Sequence, residues 1–393
     1  MPVQRAILIL LALSCSSAVL AWCLLTPPPT AERDKPAVAE KEPHPTPAGM
    51  VWVSGGQFQM GSRDGKPDEK PVHIVELTGF WMDATEVTNA EFQRFTEATG
   101  YVTLAERTPK REDFVGVDTS LIKDEDLVPS SICFNPQFDR EMVRQIRENP
   151  ANVNWPYHVW MMQKGANWRH PNGPESGIED RLNHPVVHIA WTDAVAYCEW
   201  AGKRLPTEAE FEYASRGGLQ QQEYPWGDKL QREDKWLLNI WQGEFPEEHK
   251  VRDGFEMTSP VKSFRPNGYG LFDISGNVWE WCADWYQPEY YSASPRRDPH
   301  GPRDSFDPNE PGLPKRVQRG GSFMCNINYC EGYRCASRMK GEPSSGAFHC
   351  GFRTALSPAD YDPFTKAPGQ LTKSAAGRYP RFVRREPGLA PCG

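Results

Sequence analysis

The sequence predicts a mixed α/β fold with little regular secondary structure. Three features carry that expectation. Short segments alternate apolar and polar residues as half-buried strands do, three segments carry helical spacing, and long stretches between them show no period. With 14 Trp, 32 Gly and 37 Pro in 393 residues, the chain suits loops pinned by large aromatic anchors better than long helices.

Residues 1–25 read as a targeting segment. Arg5 is followed by an uncharged, strongly apolar run over residues 6–25, the pattern of a signal peptide or a single membrane anchor. Val19 and Ala21 offer a small-residue cleavage site before Trp22, whereas the length of the run suits an anchor. A lipid attached at Cys15 or Cys23 is disfavoured, because Ala12 and Trp22 stand where Leu and a small residue would be needed. Either reading puts the rest of the chain outside the cytosol. Residues 26–49 combine proline and charge without apolar content, which predicts an extended linker.

The globular domain is expected over residues 50–357, with a loosely packed Arg- and Pro-rich tail over 358–393. It opens with MVWVSGGQFQM, an alternating strand broken at Gly55-Gly56, where a hairpin turn is expected. A second alternating run covers residues 72–77. One helix is expected over residues 88–99, with Phe92, Phe95 and Ala98 on one side. Another begins with Thr192 as N-cap and turns Ala194, Val195, Cys198 and Ala201 inward. The third opens with Thr207-Glu-Ala-Glu210, a capping-box spacing. Its Glu208, Glu210 and Glu212 are expected on a solvated helix rather than in acid–base chemistry. Residues 108–156 and 287–314 lack a period. That much irregular chain in a compact domain points to stabilising metal ions or disulfides.

A net charge of -8 and no basic stripe argue against a nucleic-acid partner. Outside the targeting segment lie Cys133, Cys198, Cys282, Cys325, Cys330, Cys335, Cys350 and Cys392. Cys325 and Cys330 are spaced too widely for a redox CxxC, yet two sulfurs five residues apart can converge on one ion across a loop. Two thiolates without a neighbouring His or carboxylate make a soft, low-coordinate site that selects Cu(I). A structural disulfide, the usual state of exported cysteines, is the competing reading.

Seven ordered blocks carry a resemblance: MDATEVTNAEF, KGANWRHPNGP, HPVVHIAWTDAVAYCEWAGKRLPTEAEFEYASRGG, YPWGD, NIWQGEFP, PNGYGLFDISGNVWEWCADWY and RGGSFMCNINYCEGYRCASR. Over residues 50–355 the chain resembles the formylglycine-generating enzyme, or sulfatase-modifying factor, family. The pair Cys325 and Cys330 separates its oxidising members from relatives of the same fold. The resemblance implies a fold related to C-type lectin-like domains. It also implies an oxidase that converts the cysteine of C-x-P-x-R motifs in unfolded sulfatases to formylglycine with molecular oxygen. Cys325 and Cys330 would hold one Cu(I), and the substrate thiolate would join as a third ligand. Oxygen would react at copper, a hydrogen would leave the substrate Cβ, and the resulting thioaldehyde would hydrolyse. A redox metal suits this step, since side-chain acids and bases alone do not break an unactivated C–H bond. Ser322, Tyr329 and Trp279 are similar to family residues near the oxygen pocket and substrate. Glu86 matches a groove residue, and His349 stands where the family often has Asn.

The resemblance further implies two structural calcium ions. One would be held by Asn239, Ile240 (backbone), Asp253 and Phe255 (backbone), the other by Asp273, Gly276 (backbone), Val278 (backbone) and Glu280. Loops interleaving Asp, Asn and Gly suit the many oxygens calcium requires, although such residues are also common turn formers. His170 and His184 have no third ligand in view and are expected to pack loops. In animal members disulfides join the position of Cys198 to that of Thr354, and that of Cys335 to that of Ser215. Both partners are absent here, so Cys350 is the candidate replacement for either. Two other classes compete with this one: a peptide- or sulfatase-binding module of this fold without activity, and an iron-dependent C–S bond-forming oxidase. The latter needs a His-rich helical domain, for which a chain with 9 His has no room.

Overall fold

The computed structural model describes residues 42–113, 120, 122–148 and 158–361. The expected targeting segment, residues 26–41 of the linker, Cys392 and most of the tail lie outside the described residues. No helix among the described residues is long and apolar enough to cross a membrane.

Short strands dominate. β1 (Met50–Val53), β4 (Phe80–Asp83) and β15 (Ala355–Leu356) form an antiparallel sheet, with Met82 between Val51 and Ala355. β2 (Gly56–Met60) pairs with β3 (His73–Leu77), Phe58 facing Val75. The hairpin expected at Gly55-Gly56 does not form, because β1 and β2 take different partners. The Tyr213 hydroxyl donates to the Ser54 carbonyl at 3.1 Å and lies 2.8 Å from where a Gly56 Cβ would stand. The glycine therefore lets the chain pass under a tyrosine rather than turn. β5 (Ser130–Phe134) pairs with β6 (Trp160–Lys164), placing Phe134 opposite Trp160. β7 (Gln231–Arg232) and β8 (Lys235–Trp236), then β9 (Gly243–Glu244) and β10 (Glu248–His249), make two-residue pairs. A four-stranded sheet runs β13 (Met339–Gly341), β12 (Arg316–Arg319), β11 (Trp279–Trp285), β14 (Cys350–Gly351), with β11 and β14 parallel.

Four α-helices are present among the described residues. α1 (Asn89–Thr99) has the expected boundaries: Thr88 and Glu91 form a reciprocal cap and Gly100 ends it at φ 71°. α2 (Arg140–Arg147) lies in a stretch where the sequence shows no period, and buries only Val143. α3 (Trp191–Ala201) begins two residues earlier than a Thr192 N-cap would place it. Ala190 is its N-cap, and the Asp193 carboxylate accepts the Ala190 N–H at 3.0 Å. α4 (Glu208–Ser215) carries the expected Thr207–Glu210 capping box.

α4 is not solvated, however; every one of its residues is buried. Glu208 receives Arg338 Nε at 2.6 Å and Nη2 at 2.9 Å, and Glu212 receives Arg216 at 2.7 Å and Arg319 at 2.5 Å. Glu210 is paired with Arg204. A buried carboxylate is tolerable only when paired and hydrogen-bonded. The arginines that make this possible include two more than a hundred residues downstream, out of reach of any local pattern. Burial alone would raise the Glu212 pKa, but Arg216 and Arg319 outweigh it and hold the carboxyl below its ordinary range.

The ends of the described domain meet on Trp81. Its indole N–H donates to Glu42 at 2.9 Å, while the His44 and Tyr361 rings lie 6.2 and 5.1 Å from it. Residues 42 and 44, expected in the linker, thus rest on the domain.

Candidate functional site

β12 delivers the chain to Gly320 and Gly321, with φ 90° and 75°. A Cβ on Gly321 would stand 2.5 Å from the Tyr333 nitrogen, and one on Gly332 would stand 2.2 Å from Trp279 Cη2. These two glycines let the segment fold back on itself over the Trp279 ring. Between them, the Cys325 N–H donates to the Ser322 carbonyl at 2.8 Å. The Tyr329 and Cys330 N–H groups share the Asn326 carbonyl at 3.0 and 2.9 Å. The Asn326 amide donates to the carbonyls of Trp241 and Gly243 at 3.1 and 2.9 Å, anchoring the loop to the chain beneath it.

Cys325 and Cys330 are joined as a disulfide, with their Cα atoms 5.1 Å apart. The convergence of the two sulfurs agrees with the sequence expectation. The bonded state is the competing reading, so a thiolate pair is the reduced form of this bridge. Cys325 is fully buried, and the Ser322 N–H points at its sulfur from 3.4 Å with the hydroxyl at 4.0 Å. Trp279, Cys325, Tyr333 and Cys350 share one apolar cluster, with Cys330 packed against it. Tyr329 turns to the adjoining cluster. Its ring stacks on Phe245 at 4.4 Å, and its hydroxyl accepts the Trp160 indole N–H at 3.2 Å. Trp160 stacks in turn on His349 at 5.1 Å, and the His349 carbonyl accepts the Trp279 N–H at 2.9 Å. Ser322, Cys325, Tyr329, Cys330, Trp279 and His349 therefore form one connected set.

His349 Nδ1 is buried without a hydrogen-bond partner. Burial, reinforced by nearby His188, pushes its pKa down to about 3, so the ring is neutral near pH 7. His188 is wholly buried between Ser131 Oγ and the Pro171 carbonyl, each 2.8 Å away, with its pKa pushed by burial down to about 4. The expected loop histidines behave as such: His170 Nδ1 meets the Ser176 carbonyl at 2.5 Å and His184 Nδ1 meets Thr258 Oγ1 at 3.0 Å.

Glu86 does not line a groove. It is fully buried, accepts the Asn277 amide at 3.0 Å, and has Arg353 3.9 Å away. Its second oxygen has no hydrogen-bond partner, and neither has Asp273 Oδ1. Burial and then the Asp273 charge push the Glu86 pKa well up, and burial raises Asp273 to about 6. Glu280 also departs from expectation: Arg353 occupies both its oxygens at 2.7 and 2.9 Å. The orphaned oxygens of Asp273 and Glu86 suit a hard cation there better than Glu280 does.

In the other expected calcium set, Asn239 Oδ1 is buried without a partner. Asp253 accepts the N–H groups of Phe255 and Ile240, each at 3.0 Å, and the Gln242 amide bridges it to the Ile240 carbonyl. That set is partly satisfied by Gln242, which the sequence reading missed. Among the described residues no group of three or more His, Cys, Asp or Glu side chains is arranged to hold a metal. An ion held by the described residues would therefore draw on at most two such side chains, completed by backbone carbonyls or amide oxygens.

Cys133, Cys198, Cys282, Cys335 and Cys350 are buried free thiols. The re-pairing considered for Cys350 is not found. Its sulfur accepts the Gln318 amide at 2.8 Å, and Cys335 accepts the Ser215 hydroxyl at 3.5 Å. A polar cavity of about 490 Å³ lies beside the loop, lined among others by Asp64, Glu223, Asp228, Glu331 and Arg334, and includes neither cysteine of the bridge. Trp160, Asn326 and Arg319 were not singled out from sequence. Only Arg319, opening the RGG turn, carried a local signal.

Residues 35–358 match the family described as sulfatase-modifying factor enzyme 1-like domain. The chain is similar to the formylglycine-generating enzyme of Streptomyces coelicolor, 45% identical over 81% of this chain and 93% of that protein. A mouse protein named inactive C-alpha-formylglycine-generating enzyme 2 is 38% identical over 78% of this chain and 85% of its own. PvdO from Pseudomonas aeruginosa shares the fold, with a TM-score of 0.50 at 22% identity, covering 78% of this chain and 94% of that one. By the extent of these matches, this chain belongs to the sulfatase-modifying factor, or formylglycine-generating enzyme, family.

Proposed function

We propose that the protein is a formylglycine-generating oxidase that uses Cu(I) and molecular oxygen. Its substrate is the cysteine of C-x-P-x-R segments in unfolded sulfatases. The observation that carries this reading is the convergence of Cys325 and Cys330 within a loop whose ends and middle are fixed by hydrogen bonds. Reduced, the pair offers two soft donors and no hard one, which fits a low-coordinate Cu(I). When bound, that ion supplies the one-electron chemistry with oxygen that protein groups lack.

The chain's own residues bind and orient. The Ser322 N–H stabilises negative charge on the Cys325 sulfur. Tyr329, held by Trp160 and Phe245, fixes the C-terminal side of the loop. His349 presents a neutral imidazole that does not compete as a cation. Trp279 supports the loop from below through Gly332. Calcium, if held by Asp273 and Glu86 with neighbouring carbonyls, neutralises two buried carboxylates. A second ion would call on Asn239 and Asp253.

The apolar run before residue 26 supports export, with membrane attachment confined to that segment. A non-catalytic binding module is the second reading. The relative named inactive keeps it in view, and the reducible pair weighs against it.

The deciding measurement is mass spectrometry of a C-x-P-x-R peptide incubated with the protein, copper, a thiol reductant and oxygen. Replacement of the cysteine CH2SH by CHO is expected. An unchanged peptide mass, with copper bound, leaves the binding-module reading.

A further inference from the structure

The segment that carries the cysteine pair runs between the paired strands β12 and β13, which meet at Gln318 and Met339, and one side chain ties it together just beyond that pairing. Arg319 is 1% exposed and sits at the last position of β12. Its Nη2 donates to the Cys335 carbonyl at 2.8 Å and its Nη1 to the Ala336 carbonyl at 3.2 Å. The same guanidinium is gripped from behind by Glu212 at 2.5 Å and Glu208 at 3.3 Å on α4. One planar fork therefore ties the start of the segment to its end and both to a buried helix, a geometry open to arginine and not to lysine. Arg334 and Arg338 add ties to Glu69 and Glu208; of these three arginines, Arg319 is the one bonded across the two ends.

We infer that Arg319 is a positioning residue that holds Cys325 and Cys330 at mutual reach whether or not they are bonded. The inference rests on the reading that this pair is the reactive centre. Without the tie, strand pairing still holds Gln318 beside Met339, but the Cys335 end of the segment is released from the guanidinium and from α4, and the effective concentration of one thiol at the other falls. Ser215 at the end of α4 lies 3.5 Å from the Cys335 sulfur. A covalent bond there would anchor the same end of the segment to the same helix.

The test reads the thiol–disulfide equilibrium of the Cys325–Cys330 pair in the full chain. The protein is equilibrated with reduced and oxidised glutathione and scored by differential alkylation and mass spectrometry. This readout does not depend on oxidase activity, so absence of aldehyde product would dismiss the proposed function and leave this inference standing. Arg319→Lys is expected to disfavour the bonded pair about tenfold, the loss of a well-oriented neighbour. Adding Ser215→Cys, which can bond Cys335, is expected to restore most of that loss. Glu210→Gln, on the same helix but bonded to Arg204 rather than to the segment, is expected to lower the melting temperature and leave the equilibrium within about twofold. An Arg319→Lys equilibrium within twofold of the unaltered protein overturns the inference, and so does an equal shift in Glu210→Gln. Should Arg319 variants fail to fold, the unaltered protein decides. With the ends tied, reduction of the bridge leaves the Phe323 and Cys325 amides protected from hydrogen exchange; their release refutes the role.

Discussion

The Phe323 backbone N–H donates to the Asn277 carbonyl at 2.9 Å, and beside it the Gly276 N–H donates to the Gly320 carbonyl at 2.8 Å. Those bonds stitch the segment bearing the cysteines to the turn that carries Asp273 and Asn277. Asn277 in turn donates its amide to Glu86. If calcium neutralises Asp273 and Glu86, its removal leaves two buried carboxylates, each with one oxygen lacking a hydrogen-bond partner, behind the reactive loop. A chelator is expected to lower the melting temperature by about 5 °C while leaving copper on the cysteines. A calorimetric trace unchanged by the chelator would speak against calcium there.

Cys325→Ala and Cys330→Ser are each expected to fold and to abolish aldehyde formation. About one Cu(I) per chain should bind to the unaltered protein and none to either variant. Full turnover by Cys330→Ser would dismiss the assignment of the pair. Competition with a coloured Cu(I) chelator reads the binding arm.

Gly332→Ala tests the folded-back loop. The added methyl would stand 2.2 Å from Trp279 Cη2 and 3.0 Å from the Gly321 Cα. It must push either the indole or a neighbouring strand of backbone. A destabilisation of about 1–3 kcal/mol is expected, with activity lost more steeply than stability. A variant as stable and active as its parent would mean that the ring moves freely.

His188 makes stability depend on acid. Its folded pKa of about 4 lies below the ordinary value of 6.5. The neutral ring's contribution is therefore complete above pH 6.5 and is lost as pH falls toward 4, where the unfolded chain takes up the proton first. The loss should approach about 3 kcal/mol by pH 4. Denaturant unfolding of the protein and of His188→Gln, compared at pH 7 and pH 4, isolates it. The variant's stability should fall less between the two pH values. Equal falls would remove the role.

The parts legible in the sequence were those with short reach. The Thr88–Glu91 and Thr207–Glu210 caps announce their helices because both partners lie within one turn. Cys325 and Cys330 announce their convergence because five residues can close a loop. What escaped was long-range. Nothing near Glu208 and Glu212 foretells Arg319 and Arg338, so a buried ionic helix read as a solvated one. Glu86 read as a groove residue because its partners, Asn277 and Arg353, arrive from about two hundred residues or more away. The Gly55-Gly56 passage passed for a hairpin because the hydroxyl that explains it belongs to Tyr213. Local pattern could not separate calcium ligands from turn formers either. The orphaned oxygens that favour Asp273 and Glu86 over Glu280 appear only once Arg353 is in place.

The meeting of Glu42, His44 and Tyr361 on the Trp81 indole has a practical corollary. The two ends leave the domain at neighbouring points, so a short linker could join them and new termini could be opened in a surface loop without redirecting a strand. It also means that tags or fusion partners joined directly at Glu42 and Tyr361 crowd the same pole. A circularly permuted version would let an immobilised form of the protein be held from a pole of the experimenter's choosing.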